Sequence, residues 1–321
     1  MDAVTARPEV DAAFRADVLA GLAAPIPAVP ARWLYDRRGS ELFEAITRLP
    51  EYYLTRTDAD LLGRHCGEVA RIVGPGHAVV EFGSGSSAKT PLLLRAAAPA
   101  AYVPVDISGD FLREAAATLQ AEFPDLPVYP VEADFMQCIA LPPEVSGTPK
   151  LGFFPGSTIG NLVPRTAVDL LRAMKETLGE RSRLLIGIDR IKDVGILMRA
   201  YDDADGVTAE FNLNLLRRIN AELDGTVPVD AFRHRVIWND AMSRIEMHLE
   251  ALRDVDFTVC GRRFSFAAGA TIHTENSHKY GYRDSRLLLR AAGWGVVEEW
   301  TDEKEWFSII LAEAEPPRFA P

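Results

Sequence analysis

Four short segments carry residue types and spacings suited to gripping a nucleotide-like ligand. In Val79-Val80-Glu81-Phe82-Gly83-Ser84-Gly85-Ser86-Ser87-Ala88-Lys89-Thr90 an apolar run breaks at glycine and enters a helical pattern. Glycine lets backbone approach a ligand closely, and a helix N-terminus favours negative groups. Asp106 closes a second apolar run 23 residues after Gly83, where it can accept hydrogen bonds from ribose hydroxyls. A third run ends in Glu132-Ala133-Asp134-Phe135, an acid beside an aromatic, suited to an adenine amino group and its ring face. The fourth delivers Gly156-Ser157-Thr158-Ile159-Gly160-Asn161, whose asparagine offers both a donor and an acceptor.

Each residue also has a plainer use. Asp134 suits a turn cap, Asn161 a glycine turn, and Lys89 an exposed first helical turn. Glu81 is placed for a methionine ammonium or for a neighbouring backbone amide. The glycine spacing fits G-x-G-x-x-A, which keeps an NAD-dependent oxidoreductase open. The ribose acid serves NAD and S-adenosylmethionine alike, whereas the acid–aromatic pair after the third run is the arrangement expected of class I methyltransferases. No nucleophile motif is present, because Gly83-Ser84-Gly85 lacks the G-x-S-x-G frame. His273 and His278 have no H-E-x-x-H or C-x-x-C partner, and no metal is expected. Cys66, Cys138 and Cys260 are odd in number and far apart, so they form no disulfide framework.

The elements needed to position these residues are legible as a pattern. Apolar runs at 77–82, 101–106, 127–132, 150–154 and 183–189 alternate with helical stretches, which reads as βαβ units on a parallel sheet. Helices are expected at 14–22, 40–49 with Ser40 as N-cap, 196–201, 209–223 and 282–292, and a last strand at 306–311. Residues 236–253 and 257–266 alternate like antiparallel strands. The expectation is an α/β protein: a doubly wound domain at 57–190 and 282–321, interrupted by a second unit at 1–56 and 191–281.

Composition narrows the function. With 46 acidic and 35 basic residues the formal charge is −11, and no basic cluster offsets it, which argues against a nucleic-acid partner. No apolar run reaches the roughly 18–20 residues of a membrane span. Met1 to Ala12 holds three acids and no apolar core, unlike a signal peptide. A cytoplasmic, monomeric enzyme acting on a small molecule is the expectation.

Further segments carry a resemblance. Trp33-Leu34-Tyr35-Asp36-Arg37-Arg38-Gly39-Ser40-Glu41-Leu42-Phe43 and Leu49-Pro50-Glu51-Tyr52-Tyr53-Leu54-Thr55-Arg56-Thr57 are the most diagnostic. With them stand the glycine turn, the Asn161 segment, Arg199 to Ala209, Arg244 to Met247 and Thr274 to Ser277. Together they resemble the histidine Nα-methyltransferases of ergothioneine biosynthesis over nearly the whole chain. The resemblance implies a Rossmann-like class I methyltransferase sheet with an inserted substrate domain, and S-adenosylmethionine as methyl donor. It assigns cofactor contacts to Gly83, Lys89, Asp106, Asp134 and Phe135. The amino-acid backbone falls to Asn161 and Tyr201 with Tyr35 nearby, and Tyr35 and Asn161 are the residues expected to align the amine. The imidazole falls to Tyr52, Glu275 and Ser277 with Asn276 between them, and Met247 lines the side-chain pocket. Glu275 and Ser277 are two apart, so on a strand they share a face. Methylation of another amino acid such as tryptophan, the NAD oxidoreductase and a silent S-adenosylmethionine-binding protein stay open as alternatives.

Overall fold

The computed structural model describes residues 11–85, 89–107 and 109–316. The expectation for residues 1–10 and the Ser86-Ser87-Ala88 part of the glycine turn therefore lie outside the described residues. The helix α1 (Ala12–Leu22) starts at Asp11, whose carboxylate accepts the N–H groups of Ala13 and Phe14. The next, α2 (Arg37–Ile46), starts at Asp36 rather than at Ser40. Asp36 Oδ1 accepts the Gly39 N–H at 2.7 Å, and a Cβ on Gly39 would lie 1.7 Å from the Leu34 carbonyl oxygen. Only glycine fits that tight entry.

Then follow α3 (Tyr53–Val73), β1 (Ala78–Phe82), α4 (Thr90–Ala97), β2 (Ala101–Asp106), α5 (Gly109–Glu122) and β3 (Val131–Glu132). After them come β4 (Lys150–Phe154), α6 (Pro164–Leu178), β5 (Arg183–Asp189), α7 (Val194–Tyr201) and α8 (Val207–Glu222). The chain continues with β6 (Phe232–Asn239), β7 (Arg244–Ala251), β8 (Val255–Val259), β9 (Arg262–Phe266) and β10 (Thr271–His278). It closes with α9 (Tyr282–Ala291), β11 (Trp294–Thr301) and β12 (Phe307–Ala314).

Two compact units emerge, one of residues 54–192 and 278–321, the other of residues 1–53 and 193–277. The first holds a seven-stranded sheet in the order β11-β12-β5-β4-β1-β2-β3. Strands β1 to β5 are parallel, and β12 runs antiparallel to both its neighbours. Alternate residues feed two cores. Val79, Tyr102 and Phe153 pack with Leu61 and Leu93 from α3 and α4, while Val80, Val103 and Phe154 pack with Leu171 and Leu289 from α6 and α9. A sheet buried on both faces explains why its strands read as unbroken apolar runs. This is the mixed α/β, mostly parallel, Rossmann-like architecture that the alternation of apolar runs and helices predicts. The strand order reverses between β1 and β4, and in open sheets of this kind ligands bind beyond the strand C-termini at that point.

Two differences from expectation have local causes. The third strand shrinks to Val131–Glu132 because Pro127 and Pro130 lack the N–H a continuous ladder needs. Strand β11 was hidden because a register shift between Val296 and Glu298 breaks its alternation. In the second unit, β10-β7-β6 form a sheet and β8 pairs with β9. The 236–253 segment is not one strand: β6 turns into β7 through Asp240–Met242 and a left-handed Ser243 (φ 48°).

Candidate functional site

In the unit of residues 54–192 and 278–321, the glycine turn follows β1, Asp106 ends β2, and Asp134 and Phe135 follow β3. The N–H groups of Gly83 and Ser84 both donate to the Val105 carbonyl, at 2.8 and 3.1 Å, and the Gly85 N–H donates to Asp106 Oδ2 at 3.0 Å. Gly83 is left-handed, and a Cβ there would lie 3.3 Å from the Phe135 ring. The turn is thus bare backbone facing an aromatic edge, with the ribose-type acid tied to it. Asp134 Oδ1 accepts the Met136 N–H at 2.9 Å, so this acid caps its own turn as well.

Lys89 pairs with Asp58 of α3, which is fully buried and also accepts the Gly156 N–H at 2.9 Å. Sequence reasoning missed Asp58. One buried carboxylate links the lysine expected at the cofactor to the turn that leads to Asn161. Beyond Gly156, Ser157 is left-handed (φ 61°) and its Oγ accepts the Asp189 N–H at 2.8 Å. A short 3₁₀ turn, Thr158–Asn161, then delivers a half-buried Asn161.

Glu81 does not take the role considered for it. Its Oε2 accepts the Thr90 and Tyr102 hydroxyls, each at 2.6 Å, inside the protein. Burial raises its carboxyl from the ordinary 4.5 to about 7. Because the folded group holds its proton longer than the unfolded one, its stabilising contribution is full below pH 4.5 and lost as pH rises through about 7. Glu81→Gln should therefore remove a loss of about 3 kcal/mol that the wild type suffers between pH 5 and pH 8. Urea midpoints at both pH values test this, and parallel pH slopes for the two proteins would refute it.

The other unit gathers Phe43, Tyr52, Tyr201, Phe211, Met247 and Glu275, among others, around a small cavity of about 10 Å³. Tyr35 meets Phe43 and Phe211 edge-on with centroids 5.5 and 5.4 Å away, and Tyr52 meets Tyr201 at 6.1 Å. Tyr35, expected beside the amine, has the Glu275 carboxylate within hydrogen-bonding reach. Burial first, then the charge of Glu275, raises its hydroxyl well above the usual tyrosine value, so it remains a donor. The Tyr201 hydroxyl lies 2.6 Å from Ser277 Oγ. Glu275 and Ser277 thus each lie against a tyrosine of this unit, Tyr35 and Tyr201.

Asn276 has a different setting from its two neighbours. Along β10 the buried positions run Ile272, Thr274, then Glu275 and Ser277, so the alternation slips by one after Thr274. Glu275 lines the pocket while the Asn276 side chain adjoins His273 on the other side. Phe43 and Phe211 were not read as site residues, because apolar rings at helical spacing look like core.

Residues 14–314 match the family described as histidine-specific, S-adenosylmethionine-dependent methyltransferases. The chain is 41% identical over 306 residues to the histidine N-alpha-methyltransferase of Mycolicibacterium smegmatis, covering 94% of each chain. It is 40% identical over 311 residues to the protein of that name from Mycobacterium tuberculosis, again covering 94% of each. It is also 30% identical over 298 residues to ergothioneine biosynthesis protein 1 of Neurospora crassa, covering 89% of this chain and 33% of that one.

Proposed function

The chain belongs to the histidine-specific, S-adenosylmethionine-dependent methyltransferase family, and from that premise we propose that it transfers three methyl groups to the α-amino group of L-histidine. The product is hercynine, in ergothioneine biosynthesis, and the enzyme works as a cytoplasmic monomer. The observation that carries this reading is strand β10, which places Glu275 at the small aromatic cavity within reach of Tyr35, and Ser277 against the Tyr201 hydroxyl. A carboxylate and a hydroxyl on one strand face match the two polar nitrogens of an imidazole.

The residues present fit the methyl donor. The backbone turn at Gly83 beneath the Phe135 ring suits an adenosine, Asp106 its ribose hydroxyls, Asp134 the adenine amino group and Lys89 the methionine carboxylate. S-adenosylmethionine supplies an electrophilic sulfonium methyl, so the protein's task is alignment and desolvation. The nucleophile must be the neutral amine, and an α-amino group is mostly protonated at pH 7. Asn161, which offers both a donor and an acceptor, holds the amino-acid backbone and points the amine lone pair. Tyr35 keeps its proton at Glu275 and takes no part as a base. The methylated intermediates become cationic, and the pocket tyrosines stabilise such charge by about 0.5–2 kcal/mol per ring face.

Asp106→Ala should weaken S-adenosylmethionine by about 10- to 100-fold, from the loss of charged hydrogen bonds worth about 1.5–3 kcal/mol, with the fold intact. Calorimetry with S-adenosylmethionine and with NADH checks this; heat from NADH alone would reassign the cofactor. The aromatic lining and the unbranched Met247 favour a second reading, methylation of an aromatic amino acid such as tryptophan. Incubation with S-adenosylmethionine and twenty separate amino acids, followed by product masses, decides between them. Trimethylated histidine as the main product supports the proposal, and a preference for tryptophan replaces it with the second reading.

A further inference from the structure

Strands β7 and β10 are neighbours, and on the side of β7 away from Met247 they gather Glu246, His248 and His273. One donor atom of each lies within 4.8 Å of the others, and His248 Nε2 is 3.2 Å from Glu246 Oε2. The side chains of Glu246 and His248 are only 11% and 10% exposed. The surroundings hold these groups in a definite way. Asn239 and Arg244 both donate to Glu246 Oε1, at 2.8 and 2.7 Å, which leaves Oε2 facing His248. His273 Nε2–H donates to the Glu275 carbonyl at 3.1 Å, a bond that puts the ring's lone pair on Nδ1.

Among the described residues, His248 Nδ1 and Asn276 Oδ1 are buried here without a hydrogen-bond partner, and the Asn276 side chain adjoins His273. Buried polar atoms are normally satisfied, and a half-turn of the His248 ring, whose Nε2 now faces Glu246, brings its open Nδ1 lone pair into the cluster, where an electron-pair acceptor would satisfy it.

We propose that Glu246, His248 and His273 bind a divalent transition-metal ion of the zinc class, with Asn276 Oδ1 as an additional neutral oxygen beside it. Two imidazoles and one carboxylate are the donors such an ion selects, whereas magnesium and calcium prefer oxygen alone. Asn239 and Arg244 orient the carboxylate, and the Glu275 carbonyl orients His273, as outer partners do in metal sites. The imidazoles now lie stacked, with centroids 4.7 Å apart and an 18° tilt. One ring must turn for both lone pairs to converge at the roughly 2.0–2.1 Å of a zinc–nitrogen bond. Arg244 shares the carboxylate, which keeps the affinity below that of a closed thiolate site. Met247 lies between two of the ligands on β7, and His273 holds the backbone of Glu275. The ion is therefore a structural tie between the strands that shape the amino-acid pocket. Spacing concealed it, since Glu246 and His248 are two apart and His273 follows 25 residues later.

The test uses the full chain, stripped with a chelator, given zinc alone and desalted before metal analysis. The wild type should retain one zinc per chain, melt several degrees higher with it, and give cobalt(II) visible bands without a thiolate charge-transfer band. His273→Gln and Glu246→Gln should each weaken the ion by about a hundredfold or more and lose the melting shift. Replacing Cys66, Cys138 and Cys260 by serine should leave binding unchanged. Substoichiometric zinc in the wild type, or wild-type retention in both variants, overturns the proposal. Should a variant fail to fold, the wild-type cobalt spectrum decides: no band, or a thiolate band, also overturns it. None of these readouts involves methyl transfer, so the proposal and the histidine reading fail separately.

Discussion

Replacing Glu275 with alanine should lower kcat/KM for L-histidine by about a hundredfold, through loss of a buried charged hydrogen bond and of the partner of Tyr35. Glu275 is 8% exposed, so water replaces it poorly. Its removal leaves both an imidazole nitrogen and the Tyr35 hydroxyl without an acceptor in a low-dielectric pocket, where an unmade hydrogen bond is expensive. Tryptophan, phenylalanine and leucine make no use of that carboxylate, so their rates should change by less than about fivefold, and the histidine preference should shrink accordingly. Glu275→Gln keeps an acceptor without the charge and should fall between the two. Adding Met247→Val to Glu275→Ala enlarges the same wall and should move the ranking further towards tryptophan. Initial rates for the four amino acids with wild type, both single variants and the double variant measure this. An unchanged ranking in Glu275→Ala would leave the carboxylate without a role in side-chain choice.

The contrast between the two halves of this chemistry explains what was legible in the sequence. Gly83, Asp106 and Asp134 each sit within a residue or two of a strand end, so the local pattern of apolar run, glycine and acid announces them. The amino-acid pocket has no such local grammar. Tyr35, Tyr52, Tyr201, Met247 and Glu275 come from three helical or loop segments and two strands, and only resemblance named them together. Phe43 and Phe211 escaped because a buried ring in a helix is usually core. Asp58 escaped because its partners lie 31 and 98 residues away. Asn276 was not separable from its neighbours, because period-two reasoning holds only while a strand keeps its phase, and the buried positions of β10 change phase after Thr274. The start of α2 was displaced because Asp36 and Ser40 are both good caps, and the close approach of Gly39 to the Leu34 carbonyl is a tertiary fact.

Asn161 gives the second large effect. Asn161→Ala should reduce kcat for histidine by about a hundredfold while S-adenosylmethionine affinity stays within about twofold, because an amine held off line by an ångström loses that much. The turn that carries Asn161 is over-determined. Ser157 is left-handed, its Oγ takes the Asp189 N–H, and the Gly160 N–H closes onto the Ser157 carbonyl at 2.8 Å. A Cβ on Gly160 would stand 2.8 Å from the His278 carbonyl oxygen, a backbone atom that cannot move aside cheaply. Gly160→Ala keeps the Asn161 amide but pushes the turn off its seat. It should reproduce the kcat loss and cost about 1–3 kcal/mol of stability, as overpacking does. Single-turnover rates and calorimetry on both variants separate the possibilities. Equal losses of histidine and S-adenosylmethionine affinity in Asn161→Ala would make the residue a structural one. A large loss in Asn161→Ala with wild-type kcat in Gly160→Ala would place the effect in the amide itself rather than in the position of its turn.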